Sequence, residues 1–238
     1  ATDILQGVSD KSPMIYYLLG DHVKAEQTPL NSSFPFRLEE YKLLKSVVEK
    51  NPDLPMAQYY LGCLRYANKQ FAQAAEHFQR AIELKPEFYI PHRNLAIANY
   101  SHLNKMEKVL PLLQKALTLS PQNKQLVYEI AYVMGKMGVP PQERIRFIIG
   151  NASEPLRDDI CIELARAYNQ NGQFEKTIEL FAGHSFVPCE GGEHAVAEQY
   201  MFAYHAIGRT LMNNCQFSEA ADAFQKAQIL PQNLGAGL

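Results

Sequence analysis

The sequence predicts an all-α protein, a right-handed superhelix of about six antiparallel helix pairs. Three observations carry that expectation. First, the stretch FAQAAEHFQRAIELKP from Phe71 returns, 146 residues on, as FSEAADAFQKAQILP from Phe217. Self-similarity at a distance is the mark of a chain built from stacked units. Second, Ala and Gly recur where two helices would have to approach closely, with Leu, Ile, Phe and Tyr between them at helical spacing. Third, Pro closes several of these runs, as at Pro52, Pro86 and Pro121, where a second helix has to end.

Taken in order, residues 12–54 read as a weak, atypical pair. MIYYLLGDHVKA is predicted as one helix with Gly20 at its close-contact point, and RLEEYKLLKSVVEKNP as its partner. The stretch EQTPLNSSFPF between them is longer than an ordinary turn. Residues 55–88 form the cleanest unit, with Leu61, Gly62, Ala74, Phe78, Ala81 and Pro86. Residues 89–122 repeat it with Leu95, Ala96, Leu113 and Ala116, and with one extra residue in the turn. Residues 123–153 begin well at Ile130 and Ala131, but the second helix, PPQERIRFIIGN, is degenerate. Pro141 can start it and Gly150-Asn151 ends it early. Residues 154–182 carry Leu164, Ala165, Tyr168, Gly172 and Phe174. Residues 196–232 carry Tyr204, Ile207, Gly208, Ala220, Phe224 and Ala227. The five clear units begin at 55, 90, 124, 158 and 201, so the last interval is 43 residues rather than the 34 of the two before it. The surplus lies in 183–195, an irregular insertion, GHSFVPCEGGEHA. One continuous solenoid domain is expected over the whole chain.

These small and bulky residues, at these spacings, resemble the tetratricopeptide repeat, a helical hairpin of about 34 residues. The resemblance implies that the first helix of each pair lines a concave groove. Tyr59, Tyr66, Asn94, Tyr128, Tyr132, Arg166, Asn169, His205 and Arg209 fall at its inward-facing positions. Aromatic, amide and guanidinium groups are what a peptide-binding groove uses, so the implied partner is a protein. The carboxylate clamp of tetratricopeptide co-chaperones is absent from the first two clear units. Tyr59 and Cys63, then Asn94 and Ala98, stand at the clamp positions.

The insertion concentrates metal-ligand residue types: His184, Cys189, Glu190, Glu193 and His194. Their spacing matches no zinc pattern, and Glu193 and His194 are adjacent, which points them apart. Gly191-Gly192 lacks the Lys and Ser/Thr of a phosphate-binding loop. The expectation is therefore no metal and no cofactor. Instead, Phe186 and Val187 should pack as anchors and the glycines turn the chain into the last pair. Glu190, Glu193 and His194 are candidates for a partner-facing contact.

A second resemblance covers most of residues 34–238. FPFRLEE, YYLGCLRY, RNLAIANY, PPQERI, RDDICIEL, FVPCEGGEHAV and LPQNLGAG occur in an order that resembles a family of large bacterial proteins carrying a domain of unknown function with tetratricopeptide repeats. In that family the repeats form the C-terminal half, after a β-rich, mutarotase-like region. The family usually has Trp where this chain has Cys189. The resemblance implies a fragment of a larger protein, a carbohydrate-related setting, and the chain's own N-terminal β-rich region as a possible partner. It also implies an alternative role as the accessory part of a carbohydrate-active enzyme whose main site lies in that region. The missing initiator Met agrees with a fragment.

Composition narrows the rest. Lys and Arg number 23 against 25 Asp and Glu, without a basic block, which disfavours nucleic acid. No apolar run approaches the ~18 residues of a membrane span, and no signal-peptide pattern is present. The four cysteines are scattered and lack any C-x-x-C. Cys63, Cys161 and Cys215 read as small buried hydrophobes in a reducing compartment, and a cytoplasmic setting is favoured. No nucleophile elbow, His-Glu-x-x-His or dinucleotide fingerprint occurs. Asp158-Asp159 and Glu39-Glu40 are neighbours near helix starts, where acids suit the dipole, rather than carboxylates facing across a bond. No catalytic residue is assigned to this chain. Exposed terminal repeats allow weak self-association.

Overall fold

A computed structural model of the chain describes residues 12–30, 34–187 and 193–234. Among the described residues there are thirteen α-helices, one short 3-10 helix and no strand. They divide into two compact units, Ala1–Ser120 and Pro121–Leu238.

The first unit holds α1 (Pro13–Leu19), α2 (His22–Gln27), α3 (Leu38–Lys50), α4 (Pro55–Ala67), α5 (Phe71–Leu84), α6 (Tyr89–Ser101) and α7 (Met106–Leu119). The first two correct the sequence reading, which made MIYYLLGDHVKA one helix. Gly20 has φ +77° and closes α1, donating to the carbonyl of Tyr17. Asp21 then caps α2 by accepting from the Lys24 amide. Gly20 serves as a left-handed terminator there, and a Cβ at that site would meet nothing within 4 Å. Short α2 has its own task. Glu26 accepts from Tyr17 Oη at 2.5 Å and from the amides of Met56 and Ala57 at 2.8 and 3.1 Å. It thereby serves the first turn of α4, whose N-cap residue, Leu54, has no side-chain acceptor to offer.

Hairpin α4–α5 shows how the small residues work. Gly62 lies so close to the Phe78 ring that a Cβ there would stand 2.8 Å from it. Phe78, Ala74 and Ala81 of α5 are all buried against α4, together with Leu61 and Tyr60. Burying a ring of this size contributes roughly 1.5–3 kcal/mol. Between α6 and α7 the turn is four residues, 102–105, where the α4–α5 turn is three, 68–70.

The second unit holds α8 (Lys124–Lys136), α9 (Pro141–Asn151), α10 (Asp158–Gln170), α11 (Phe174–Ala182), α12 (Glu193–Asn213) and α13 (Phe217–Gln228), then the 3-10 turn Gln232–Leu234. Asn123 caps α8 by accepting from the Gln125 and Leu126 amides. The helices α8, α10 and α12 pack side by side as one layer. In hairpin α12–α13, a Cβ at Gly208 would stand 2.7 Å from the Phe224 ring, as one at Gly62 would from Phe78.

The insertion is only partly as expected. Its first residues are tied down. His184 Nε2 bonds Asp158 Oδ1 at 2.7 Å, and the Val187 amide donates to Asp158 Oδ2 at 2.9 Å. Asn233 Nδ2 donates to the carbonyls of Phe181 and His184, and the Phe186 amide donates to the Asn233 carbonyl. Phe186 is buried against Phe181, as an anchor should be. Val187 is not an anchor: it is 71% exposed, because Asp158 holds its backbone and turns its side chain out. Helix α12 begins at Glu193, so residues 193–195 are helical rather than part of the irregular loop. Cys189, Glu190 and Gly191-Gly192 lie outside the described residues.

Cys63 and Cys161 are buried, and burial pushes both thiols up to about 12, so they stay protonated. Cys215 corrects the reading of three buried cysteines. It is exposed with φ +60° in the turn before α13. No helix among the described residues is long and apolar enough to cross a membrane.

Candidate functional site

The layer α8–α10–α12 borders a cleft of about 520 Å3 in the second unit. Three of the sequence-derived groove residues line it: Tyr132 from α8, and Arg166 and Asn169 from α10. Glu198, Gln199 and Phe202 come from α12, and Phe202 is 53% exposed.

The floor of this cleft is ionic. Arg144 reaches from α9 and is 2% exposed. Its Nη1 donates to Gln170 Oε1 at 2.6 Å and its Nη2 to Glu163 Oε2 at 3.2 Å. Glu163, also buried, accepts on its other oxygen from Arg166. Burial pulls the Arg144 pKa below the ordinary guanidinium value, and Glu163 opposes that fall. The guanidinium lies against Gly135, where a Cβ would stand 3.1 Å from Nη2. Its Nε–H has no hydrogen-bond partner among the described residues. Above it, Lys136 Nζ rests 5.1 Å from the Tyr132 ring centroid.

Asn169 is a tie as well as a lining residue. Its Nδ2 donates to the Gln199 carbonyl at 2.9 Å and to Gln199 Oε1 at 3.1 Å, and its Oδ1 accepts from buried Thr177. It thus joins α10, α11 and α12, leaving Arg166 as the more exposed polar group of the two. Tyr128 is half-buried, with its ring 6.1 Å from Tyr132. Burial raises its pKa, and Glu163 and Asp159 add to the rise. His205 and Arg209 are exposed on α12, outside the cleft lining, with the His205 ring 5.7 Å from Phe224. His194 is exposed at the start of the same helix, whose first residue is Glu193.

The first unit has a smaller, apolar cleft of about 260 Å3, lined among others by Phe34, Cys63, Tyr66, Asn94 and Ile97. Tyr66 and Asn94 therefore sit together. Tyr66 packs edge-on against Phe71 and His102, and Asn94 Nδ2 donates to Cys63 Sγ at 3.7 Å. Tyr59 is 5% exposed, packed among Tyr60, Phe78 and Phe88, and burial raises its phenol pKa strongly. Its role there is packing. Among the described residues no group of three or more His, Cys, Asp or Glu is placed to hold a metal ion.

Arg144, Glu163, Lys136 and Phe202 were not singled out from the sequence. A signal for Arg144 exists. It is the fourth residue of α9, and the fourth residues of α5 and α13 are Ala74 and Ala220. An Arg in a close-contact place needs a gap opposite and a counter-charge, and Gly135 and Glu163 supply them.

Residues 55–88 match the tetratricopeptide repeat family. Among solved structures, the chain is similar to YrrB, described as a tetratricopeptide-repeat protein with an unusual peptide-binding site. The TM-score is 0.56 at 15% identity, over 77% of this chain and 90% of that one. It is also similar to MamA AMB-1, with a TM-score of 0.52 at 17% identity over 71% of this chain and 84% of that one. A second crystal form of MamA AMB-1 gives 0.51 at 18%, over 71% and 95%. Similarity at this identity speaks to the fold alone. One repeat that matches the family, set among helix pairs that match these structures, gives the chain the fold of a tetratricopeptide-repeat protein.

Proposed function

We propose that this chain is a helical-repeat scaffold that binds protein ligands through the cleft bordered by α8, α10 and α12. The observation that carries the reading is the convergence of three successive first helices on one cleft with aromatic, amide and guanidinium lining. That mixture suits an extended peptide, whose backbone takes hydrogen bonds while its side chains enter pockets. The fold of YrrB, described as having a peptide-binding site, agrees with such a use. The partner is another protein or the chain's own β-rich N-terminal region, in the reducing interior of a cell. Glu190, Glu193 and His194, from the insertion in sequence, extend the contact in this reading.

Selection of short random peptides on the 238-residue chain tests this. The expected result is a set of related peptides whose affinity falls about tenfold or more on Tyr132→Ala or Phe202→Ala, the size of loss typical of an interface anchor. Failure to enrich any peptide, or enriched peptides indifferent to both substitutions, would refute the cleft as the site.

A further inference from the structure

We infer that the cleft of the second unit selects an acidic peptide, holding one carboxylate between Arg166 and Lys136 with the buried charge of Arg144 behind them. The inference rests on the peptide-binding reading above and adds the chemistry of the ligand.

Three cations and two carboxylates border the cleft: Lys136, Arg144 and Arg166 against Glu163 and Glu198. Glu163 is buried and engaged by both guanidiniums, so one anion is shared between two cations. Arg144 is the more sequestered of the two, at 2% side-chain exposure against 31% for Arg166. It keeps a donor, Nε–H, without a partner among the described residues. A buried charge that is only partly neutralised, with a donor unused, gains from a further anion. Arg166 is exposed enough to meet one. Its planar fork matches a carboxylate, and Lys136 can add a point charge from α8. Glu198, exposed on α12, repels a carboxylate from that side and confines it to the α8–α10 side. Phe202 offers an apolar contact next to it. The under-neutralised guanidinium pair distinguishes this cleft from the apolar one of the first unit, which has no charged lining residue.

The test follows the backbone amide and Arg Nε–H signals of the whole chain by NMR during titration with N-acetylglutamate and N-acetylglutamine, both blocked as α-N-methylamides so that the side-chain carboxylate is the sole difference between them, and with inorganic phosphate. N-acetylglutamate is expected to shift the Arg144 and Arg166 Nε–H signals and the Gly135 amide saturably, and to lose affinity as salt is added. N-acetylglutamine is expected to leave them in place. Equal effects of the acid and its amide would overturn the inference, as would a response to phosphate alone. Arg166→Gln should weaken N-acetylglutamate by about tenfold. Should that variant lose its fold, exposed Lys136→Gln makes the same test with a several-fold loss. A peptide arm separates this inference from the one it rests on. Replacing Glu or Asp by its amide in a selected peptide should cost about tenfold on the unmodified chain and little on Arg166→Gln. Selected peptides that need the cleft but carry no acidic residue would overturn the charge assignment and leave peptide binding standing.

Discussion

Hairpins α4–α5 and α8–α9 fill corresponding sequence positions with opposite contents. In the first, the fourth residue of the second helix is Ala74, and the twelfth of the first helix is Tyr66. In the other, those places hold Arg144 and Gly135. Large and small have changed sides. In the first hairpin the close approach is made by Gly62 against the Phe78 ring, apolar on both faces. In the second a guanidinium fills the seam, and Gly135 gives it the room. An aromatic plug needs nothing beyond contact. A guanidinium plug needs a carboxylate and an amide, so it recruits Glu163 and Gln170 from α10 and carries charge to the lining of a cleft. On the proposed reading, that single exchange separates a purely structural repeat from a recognising one.

The largest effect is expected where the charged seam loses its anion. Glu163→Ala leaves Arg144 buried and unpaired and should cost about 3–5 kcal/mol of stability in urea unfolding. Converting the seam to the apolar kind sharpens the contrast. The double variant Arg144→Met with Glu163→Leu should recover most of that loss, ending within about 1 kcal/mol of the parent, because a buried pair replaced by hydrophobes is often neutral. A double variant no more stable than Glu163→Ala would break the comparison. Next come the two glycines. Gly62→Ala drives a methyl to 2.8 Å from a buried ring and should cost about 1–3 kcal/mol. Gly135→Ala meets the tip of a longer, jointed side chain at 3.1 Å, while the helix gains up to about 1 kcal/mol. Its net change should stay under about 1 kcal/mol by the same measurement. Equal losses at the two sites would show that the guanidinium is as rigid as the ring.

The smallest expected effect is a pH dependence confined to the apolar hairpin. His77 of α5 bonds Gln58 Oε1 at 2.8 Å, while Gln58 Nε2 donates to the Pro52 carbonyl. Burial, then the charge of Arg65, lowers the His77 pKa. A histidine whose folded value is lowered favours the folded state above the unfolded value, about 6.5. That contribution declines as pH falls below it and levels off only beneath the folded value. Stability should therefore drop between neutral and mildly acidic pH, and His77→Asn should flatten part of the slope. An unchanged slope would remove His77 from the account.

Most of the helix pairs were legible because the small residues repeat. Gly62, Ala74, Phe78 and Ala81 announce one hairpin, and Gly208, Ala220, Phe224 and Ala227 announce another. What was not legible turns on backbone choices that residue type leaves open. Gly20 can be a contact point or a left-handed stop, and only its surroundings decide. Cys215 looked like a core thiol by its neighbours, yet it takes the positive-φ place of a turn. Val187 looked like an anchor until the Asp158 carboxylate claimed its amide. The cleft was half legible. Tyr132, Arg166 and Asn169 follow from the register of the first helices. Arg144 and Glu163 do not, since their pairing joins residues 19 positions apart on two consecutive helices. The degenerate look of PPQERIRFIIGN was itself the sign that something other than packing had claimed that helix.

Glu26 has a consequence for anyone trimming this protein. A carboxylate in the short α2 completes the start of α4, thirty residues downstream. Helix α2 is therefore the end-piece of hairpin α4–α5. A shortened chain that begins at Leu38 would present bare amides at the head of its best-formed repeat, and would fray from that end first.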